Sequence, residues 1–267
     1  MPERRIKLTL EYDGRGFSGW QRQARGGGES VQEAVEGALA KVFKRAVTLN
    51  SAGRTDAGVH ALGMVAHFEV DARMPVERLP IALVAHLPES IRARSAEEVA
   101  RDFDARRDAM LRWYRYQIVF DRLDRPLGPR AWRQHPPLDL NRMGAMLRAV
   151  EGEHDFGGFR AAGCNAERTI LTMREATLWE GDGGRVVALD FKCRSFLQRM
   201  VRLLVGAAVA VGAGRRSVEE IRSILKTGRR PNAIRAAPAE GLCLMRVAYD
   251  EAESENILTA HPTPPSF

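Results

Sequence analysis

At 267 residues the chain fits one large domain or two moderate ones, and its 45% of hydrophobic residues suffices for a buried core. Lysine and arginine total 41 against 34 aspartate and glutamate, so the formal net charge of +7 favours a polyanionic partner, although a basic surface without one gives the same balance. Three widely spaced cysteines (Cys164, Cys193 and Cys243) without a C-x-x-C pair argue against a disulfide framework or a zinc site, and the longest uncharged apolar run, Leu203–Gly214, has 12 residues and is too short to span a membrane.

The first half of the chain reads as alternating strands and helices. No signal-peptide run precedes the first element, in which every second residue from Ile6 to Tyr12 is apolar or aromatic, as in a half-buried strand. Ser30 and Glu33 form a capping box, which predicts the start of a helix whose apolar residues continue to Phe43. The pattern then predicts a strand at "MVAHFEV", a helix from Pro75 to about His86, and a strand and turn at Ser90–Val99.

The second half repeats this order of elements. It begins with an alternating strand at Trp113–Phe120, followed by a Pro- and Arg-rich loop, and it ends with the strand "GLCLMRVAYD". Between them the pattern predicts a helix at Leu140–Val150, strands at about Thr169–Trp179 and Val186–Lys192, a helix at about Phe196–Val211, and a helix that begins at the capping box of Ser217 and Glu220. Two βαββαβ halves predict an α+β fold of two ferredoxin-like units, with domains at 1–104 and 105–250 and a flexible tail at 251–267.

The stretch "SAGRTDAGVHALG", Ser51–Gly63, carries the residues best suited to chemistry. Asp56 lies two residues after Arg54, and a carboxylate beside a guanidinium is kept ionised. An ionised, immobilised carboxylate can act as a nucleophile or can stabilise positive charge, and Gly53 and Gly58 allow a ligand to approach the backbone closely. For an isolated D-x-G, an aspartate in an ordinary turn is the better explanation, so the surrounding sequence decides.

That surrounding sequence resembles the tRNA pseudouridine synthases of the TruA type. The string "GRTDAGVHALGMVAHF" is similar to the signature of that family, and further blocks follow the family's order over nearly the whole chain, to about Asp250. These blocks are "YDGRGFSGWQRQ", "SVQEAVEGAL", "RWYRYQI", "GEHDFGGFRAAGC", "FLQRMVRLLVG" and "APAEGLCLMRVAYD".

The resemblance implies a cofactor-free isomerase that converts uridine to pseudouridine in tRNA, at positions 38 to 40 on the 3′ side of the anticodon arm. It places Asp56 at the catalytic aspartate and Arg54 at an arginine that pairs with it and helps to extrude the target nucleotide. It places Tyr114 at a tyrosine that stacks on the target base, and Arg202 at an arginine that forms a salt bridge with the aspartate. It also implies a pseudouridine synthase fold in which the two halves join at a central cleft, and a cytoplasmic homodimer that binds tRNA.

The chemistry of this reaction fits these residue types. A stacked base must be flipped out of an RNA stem, at roughly a few kcal/mol, before a side chain reaches its sugar. An aromatic face such as that of Tyr114 recovers about 1–3 kcal/mol by stacking, and one carboxylate can meet the positive charge that develops at C1′. Three roles fit Asp56: attack on C1′, attack on C6 of the base, or assistance to elimination. The Tyr114 hydroxyl is a candidate for removing the C5 proton, although an ordinary tyrosine pKa of about 10 makes it a poor base.

Four further residues are predicted to bind the substrate. Arg22, Arg160 and Arg168 lie in or beside the matching blocks and can contact phosphate, although surface salt bridges explain these arginines equally well. His60 follows the Asp56 loop and is expected to hydrogen-bond within it. Because His60 and His67 have no third ligand at a suitable spacing, no metal site is predicted.

Three other functions are compatible with the sequence. Ferredoxin-like units also bind RNA without catalysis, and such a module would keep its function after Asp56→Asn. The same reaction on another RNA is the second, because Leu203 and Val84 stand where the family usually has asparagine and the segment from Cys164 to Arg168 is shorter than usual. The third is a base-removing enzyme, which would leave an abasic ribose where an isomerase leaves the mass of the RNA unchanged.

Overall fold

A computed structural model describes residues 3–22, 28–71, 73–120, 131–134, 138–230 and 234–260. Over these residues the protein is a mixed α+β structure that divides into two compact units. The first unit is Met1–Met110 with Cys243–Glu251, and the second is Leu111–Leu242 with Ala252–Phe267. The division therefore falls after residue 110 instead of the predicted 104, and the last strand belongs to the first unit instead of the second.

In chain order, the strands in the described ranges are β1 Arg4–Tyr12, β2 Asn50–Ser51, β3 His60–Val70, β4 Ile91–Val99, β5 Leu111–Val119, β6 Trp132–Arg133, β7 Gly152–Asp155, β8 Ile170–Gly181, β9 Val186–Cys193 and β10 Leu242–Ala248. The α-helices there are α1 Val31–Phe43, α2 Leu79–Val84, α3 Leu140–Val150, α4 Met200–Gly212, α5 Val218–Thr227 and α6 Glu251–Thr259.

The first unit is built on an antiparallel arrangement of β4, β1 and β3, in that order. Two more strands pair with β3, the short β2 in antiparallel and β10 in parallel orientation. The alternation predicted for β1 is confirmed, because Ile6, Leu8 and Leu10 are buried while the residues between them are partly exposed. The capping box is also confirmed: the Ser30 side chain accepts from the Glu33 N–H, and the Glu33 carboxylate accepts from the Ser30 N–H.

The second unit contains the antiparallel strands β5, β9, β8 and β7, in that order, with β6 parallel to β5. Helix α3 packs against α4, α5 and β8. The capping box predicted at Ser217 and Glu220 is confirmed at the start of α5. Most of α4 is buried, as expected for the apolar run of Leu203–Gly214, and no helix in the described ranges is long and apolar enough to cross a membrane.

Two helices begin later than the sequence patterns predict. Helix α4 begins at Met200 and not at Phe196, because Arg199 has a positive φ of 60°, which is incompatible with a continuous helix. Helix α2 is reduced to Leu79–Val84 after a 3₁₀ turn, with Pro80 in its first turn. Proline lacks the N–H that a helix interior requires, so the α-helix cannot extend further towards Pro75.

The end of the chain also differs from the prediction. Residues Glu251–Thr259 form helix α6 where the sequence predicts a flexible tail, and Ile257 of this helix is fully buried. The last seven residues, 261–267, lie outside the described ranges. So does most of the Pro- and Arg-rich loop after β5, of which residues 131–134 are described and contain the short strand β6.

Candidate active site

The predicted catalytic loop, residues 52–59, connects β2 to β3 in the first unit. The Ala52 N–H donates to the Val65 carbonyl of β3 at 2.8 Å, which fixes the first residue of the loop against that strand. A tight turn follows, in which the Val59 N–H donates to the Asp56 carbonyl at 3.1 Å and Gly58 has a φ of +80°. Within this loop Arg54 is exposed and Asp56 is half-buried.

The segment that follows β1 holds this loop from the other side. The Tyr12 hydroxyl lies 2.8 Å from Thr55 Oγ1, and both side chains are buried. The Trp20 N–H donates to the Thr55 carbonyl at 3.0 Å, and the Gly14 N lies 3.1 Å from His60 Nδ1. Thr55, the residue before Asp56, is therefore fixed through both its side chain and its backbone.

Two glycines permit this close approach of two backbone segments. A Cβ atom at Gly14 would lie 2.0 Å from the carbonyl oxygen of Val59. A Cβ atom at Gly19 would lie 2.8 Å from the carbonyl oxygen of Thr55, and Gly19 also has a φ of +108°. Residues with larger side chains could not bring the two segments together at these positions.

His60 lies inside the protein, at the end of this loop. It is 2% exposed, and its Nδ1 atom lies 3.1 Å from both the Gly14 N and the Asp13 carboxylate. The same carboxylate accepts hydrogen bonds from Arg15, and this hydrogen bonding and charge raise the pKa of the Arg15 guanidinium. These contacts join His60 to the segment that follows β1, whereas the sequence predicted hydrogen bonds within the Asp56 loop; its substrate-binding role stays a prediction.

The second unit contains the predicted residues Tyr114 and Arg202. Tyr114 contacts the segment Phe196–Arg202, and Arg202 is the last residue of that segment. The Tyr114 ring is 8% exposed and meets the Phe196 ring edge to face, with centroids 5.1 Å apart. Arg202 exchanges two hydrogen bonds with Ala237: its Nε donates to the Ala237 carbonyl at 2.7 Å, and its own carbonyl accepts from the Ala237 N–H at 2.9 Å. These contacts restrict the positions of both side chains.

Arg160 is joined to the same segment of the second unit. Its neighbour Ala161 donates its N–H to the Gln198 carbonyl at 2.9 Å, while Arg160 Nη1 donates to the Ala166 carbonyl at 3.2 Å. Tyr114 and Ala161 thus contact the segment Phe196–Arg202, of which Arg202 is the last residue. Phe196 was not singled out from the sequence. Its one local indication was its place as the aromatic residue directly before "LQRMVR" in a quoted sequence block.

The other two predicted phosphate-binding arginines have intramolecular partners. Arg22 pairs with Glu36 at 2.7 Å and with Glu33 at 3.5 Å on α1, although 59% of its side chain stays exposed. Arg168 is exposed, and its Nε donates to the Ile170 carbonyl at 3.2 Å. The predicted site residues therefore fall in both units: Arg22, Arg54, Asp56 and His60 in the first, and Tyr114, Arg160, Arg168 and Arg202 in the second.

Two other sequence interpretations can be placed on the structure. Tyr116 is fully buried, donates its hydroxyl to the Pro238 carbonyl at 2.9 Å, and has its pKa raised by burial, as expected for a core residue. In the part of the chain that the structure describes, no three His, Cys, Asp or Glu side chains lie close enough together to hold a metal ion.

Comparison with known proteins identifies the family. A family model described as tRNA pseudouridine synthase matches residues 9–108 and 146–250. A protein of Geobacter sp. (strain M21) named tRNA pseudouridine synthase A is 42% identical over 250 residues, which cover 93% of this chain and 100% of that protein. Proteins of the same name from Moorella thermoacetica and Geobacter sulfurreducens are 41% and 40% identical, over 91% and 92% of this chain and 99% and 100% of their own lengths. These matches confirm the resemblance: the chain belongs to the tRNA pseudouridine synthase family, isomerases that convert uridine to pseudouridine.

Proposed function

We propose that this protein isomerises uridine to pseudouridine in tRNA, at positions 38 to 40 of the anticodon arm, with Asp56 as the catalytic carboxylate. The relatives named tRNA pseudouridine synthase A align over nearly their whole lengths, which supports tRNA as the substrate. The observation that carries the role of Asp56 is its place on a loop whose backbone is hydrogen-bonded on both sides. The positions in the anticodon arm rest on the resemblance of the sequence blocks.

The surroundings of Asp56 suit a reaction at the sugar of the target nucleotide. Breaking the C1′–N1 bond develops positive charge at C1′, and a carboxylate in a fixed position stabilises that charge without first reorganising. Asp56 is half-buried, so it remains accessible to a ligand while Thr55 beside it is held in the interior. Attack on C1′, attack on C6 and assistance to elimination all place the carboxylate next to the same nucleotide.

Arg54 is proposed to help to extrude the target nucleotide. Its guanidinium is exposed, two residues before Asp56 on the same loop. A planar cation there can contact a phosphate and occupy the space that the flipped base leaves in the stem. This role requires an accessible side chain, which the structure provides.

Tyr114 and Arg202 are proposed as the functional residues of the second unit. Tyr114 supplies an aromatic face for the flipped uracil, in an orientation that the Phe196 ring fixes. Arg202 keeps the role that the resemblance assigns to it, and its two hydrogen bonds to Ala237 restrict the directions in which its guanidinium can point. The Tyr114 hydroxyl remains the candidate for removing the C5 proton.

Arg22, Arg160 and Arg168 are proposed to bind the phosphate backbone of tRNA. Each of these arginines is wholly or partly accessible. Its intramolecular contacts use only some of the N–H donors of the guanidinium, so the others can bind a phosphate oxygen. The net charge of +7 favours such contacts, so binding should weaken as salt is raised. His60 is proposed to act in the same site through the loop that it supports.

The finer features of the fold are part of the same proposal. In the first unit β3 lies between β1 and β2 and is antiparallel to both, which supports a split βαβ and so a ferredoxin-like half. In the second unit β9 lies in the same way between β5 and β8. We further propose a homodimer that works in the cytoplasm without a cofactor, as the resemblance implies.

The test is pseudouridine formation on an unmodified tRNA transcript that carries uridines at positions 38, 39 and 40. The wild type, Asp56→Asn and the matched control Asp102→Asn, which makes the same change at an exposed carboxylate of the first unit, are incubated without metal or cofactor. Carbodiimide-dependent stops of primer extension map pseudouridine. We expect stops at those positions with the wild type and Asp102→Asn, and none with Asp56→Asn.

Each other outcome identifies an alternative. Salt-sensitive binding without stops at any uridine indicates a binding module, and stops only on another RNA indicate a different substrate. Loss of uracil mass from the RNA indicates a base-removing enzyme. Full activity of Asp56→Asn would overturn the role of that residue.

A further inference from the structure

We propose that Tyr12 and Thr55 form a positioning pair whose shared hydrogen bond sets the place of Asp56 during catalysis. The inference rests on the proposed role of Asp56 and assigns a task to two residues that do not themselves touch the reacting atoms. Thr55 precedes Asp56 directly, so any shift of its backbone moves the carboxylate.

The hydrogen bond joins two buried side chains. The Tyr12 hydroxyl and Thr55 Oγ1 are 2.8 Å apart, and the two residues are 3% and 7% exposed. The Thr55 carbonyl accepts a second bond from the Trp20 N–H at 3.0 Å. Since water cannot readily replace a buried partner, loss of either hydroxyl removes a hydrogen bond between β1 and the loop and favours a displaced loop.

Tyr12 is a rigid support for this bond. It is the last residue of β1 and pairs with Ala61 of β3 on one side and with Ile91 of β4 on the other. Its ring also packs on Trp20, with centroids 6.0 Å apart. The tyrosine is therefore held at the end of a strand that is paired on both sides, whereas the loop that it contacts has no regular structure of its own.

The pair acts at the point where precision matters. The Asp56 turn is closed by a hydrogen bond from the Val59 N–H to the Asp56 carbonyl, and Gly58 within it has a positive φ. Thr55 enters this turn directly before Asp56, so the way in which Thr55 is held contributes to the direction of the Asp56 side chain. A displacement of about 1 Å at a catalytic group can cost about 10²-fold in rate.

The experiment compares Tyr12→Phe, Thr55→Val and their double variant with Thr55→Ser, which keeps the hydroxyl. Tyr249→Phe is the matched control, because it removes a tyrosine hydroxyl of the same unit that donates to the Ala105 carbonyl at 2.8 Å. For each protein we measure the single-turnover rate of pseudouridine formation at saturating tRNA, the Kd for tRNA, and the melting temperature.

We expect Tyr12→Phe and Thr55→Val each to lower the rate about tenfold or more, with the Kd for tRNA within about twofold of the wild type. The double variant should be no slower than the slower single variant, because both changes remove the same bond. Thr55→Ser and Tyr249→Phe should keep the wild-type rate. Wild-type rates in Tyr12→Phe and Thr55→Val, or a double variant in which the two losses multiply, would overturn the proposal.

Amide hydrogen exchange tests the same pair without relying on activity. Tyr12→Phe should speed exchange at the Val59 N–H, which closes the Asp56 turn, while Tyr249→Phe should not. Unchanged exchange at Val59 would overturn the positioning role even where the rates agree with it. If wild-type protein forms no pseudouridine, the proposed function fails, and the exchange result still decides whether the pair fixes the loop.

Discussion

Glycine at position 19 is required by two independent features of the backbone. Its φ of +108° lies in a region that L-residues avoid, and a Cβ atom there would lie 2.8 Å from the Thr55 carbonyl oxygen and 3.1 Å from the Ala57 nitrogen. Gly16, in the same segment, has a φ of +84° but faces open space. The two positions therefore separate backbone strain from steric contact with the Asp56 loop.

We predict that Gly19→Ala destabilises the protein more than Gly16→Ala and also slows catalysis. A non-glycine residue in the left-handed region costs about 1–2 kcal/mol, and this should be the whole effect at Gly16. Overpacking against Thr55 should add about 1–3 kcal/mol at Gly19 and displace the loop. Urea unfolding measures the first difference and single-turnover rates the second; equal effects at both positions would contradict the prediction.

At this scale the sequence identified Asp56, Arg54 and Tyr114 from strings of neighbouring residues, and their roles remain predictions. It did not identify the contact between Tyr12 and Thr55, which are 43 positions apart. Nor did it identify Glu36, a buried carboxylate of α1 that accepts from Arg22 and from the Leu49 N–H. Such pairs depend on how strands and loops pack, which short-range patterns do not encode.

Among the elements, α6 is held by a buried lysine of β9. Lys192 Nζ lies 2.8 Å from Glu175 Oε1 and 3.5 Å from the carbonyl of Leu258 in the last turn of α6. Its side chain is 2% exposed, and the ammonium lies 5.4 Å from the centre of the Trp113 ring. A cation at the C-terminal end of a helix interacts favourably with the helix dipole, and it satisfies a carbonyl that the helix leaves free.

We predict that Lys192→Met lowers the free energy of unfolding by about 2–3 kcal/mol and exposes α6 to proteases. Removing one partner of a fully buried ion pair costs about 3–5 kcal/mol, and the effect should be smaller here because Glu175 is 21% exposed. The control Lys226→Met changes an exposed lysine of α5 and should stay within about 0.5 kcal/mol of the wild type. Adding Glu175→Gln to Lys192→Met should recover part of the loss. Equal free energies of unfolding for Lys192→Met and Lys226→Met would refute the role of Lys192.

The elements differ in how readily the sequence predicts them. Both capping boxes were predicted, because each consists of residues three positions apart that bond each other's backbone. Helix α6 was missed since Ile257 is its only fully buried residue in the described range, and one apolar residue gives no helical period. The late start of α4 depends on the positive φ of Arg199, a backbone conformation that an arginine in the sequence does not indicate.

For the whole molecule, the division into two units could be predicted only in part. The repeated order of strands and helices gave two halves, and it placed the boundary close to residue 110. It could not assign β10 to the correct unit. This strand pairs with β3 of the first unit, with Cys243 opposite His60 and Leu244 opposite Ala61. Pairing between strands so far apart in the chain is set by the assembled sheet and not by local sequence.

The pH dependence of stability should carry a contribution from His67. This histidine of β3 is 5% exposed and accepts a hydrogen bond at Nδ1 from the Ala105 N–H at 3.1 Å. Burial lowers its pKa, and Arg5 acts in the same direction against the opposing effect of Asp104. The unfolded chain therefore binds a proton near an ordinary histidine pKa of about 6.5, while the folded protein binds it only at lower pH.

The sign of the effect follows from this difference. The contribution of His67 to stability is fully present above pH about 6.5 and is lost as pH falls from there through the lower pKa of the folded state, by at most about 1.4 kcal/mol per pH unit. Urea unfolding between pH 7.5 and 5.5 should show a smaller loss in His67→Gln, whose amide oxygen can still accept from Ala105. His86→Gln, at an exposed position, should keep the wild-type slope, and an identical slope in all three proteins would show that His67 does not couple protonation to folding.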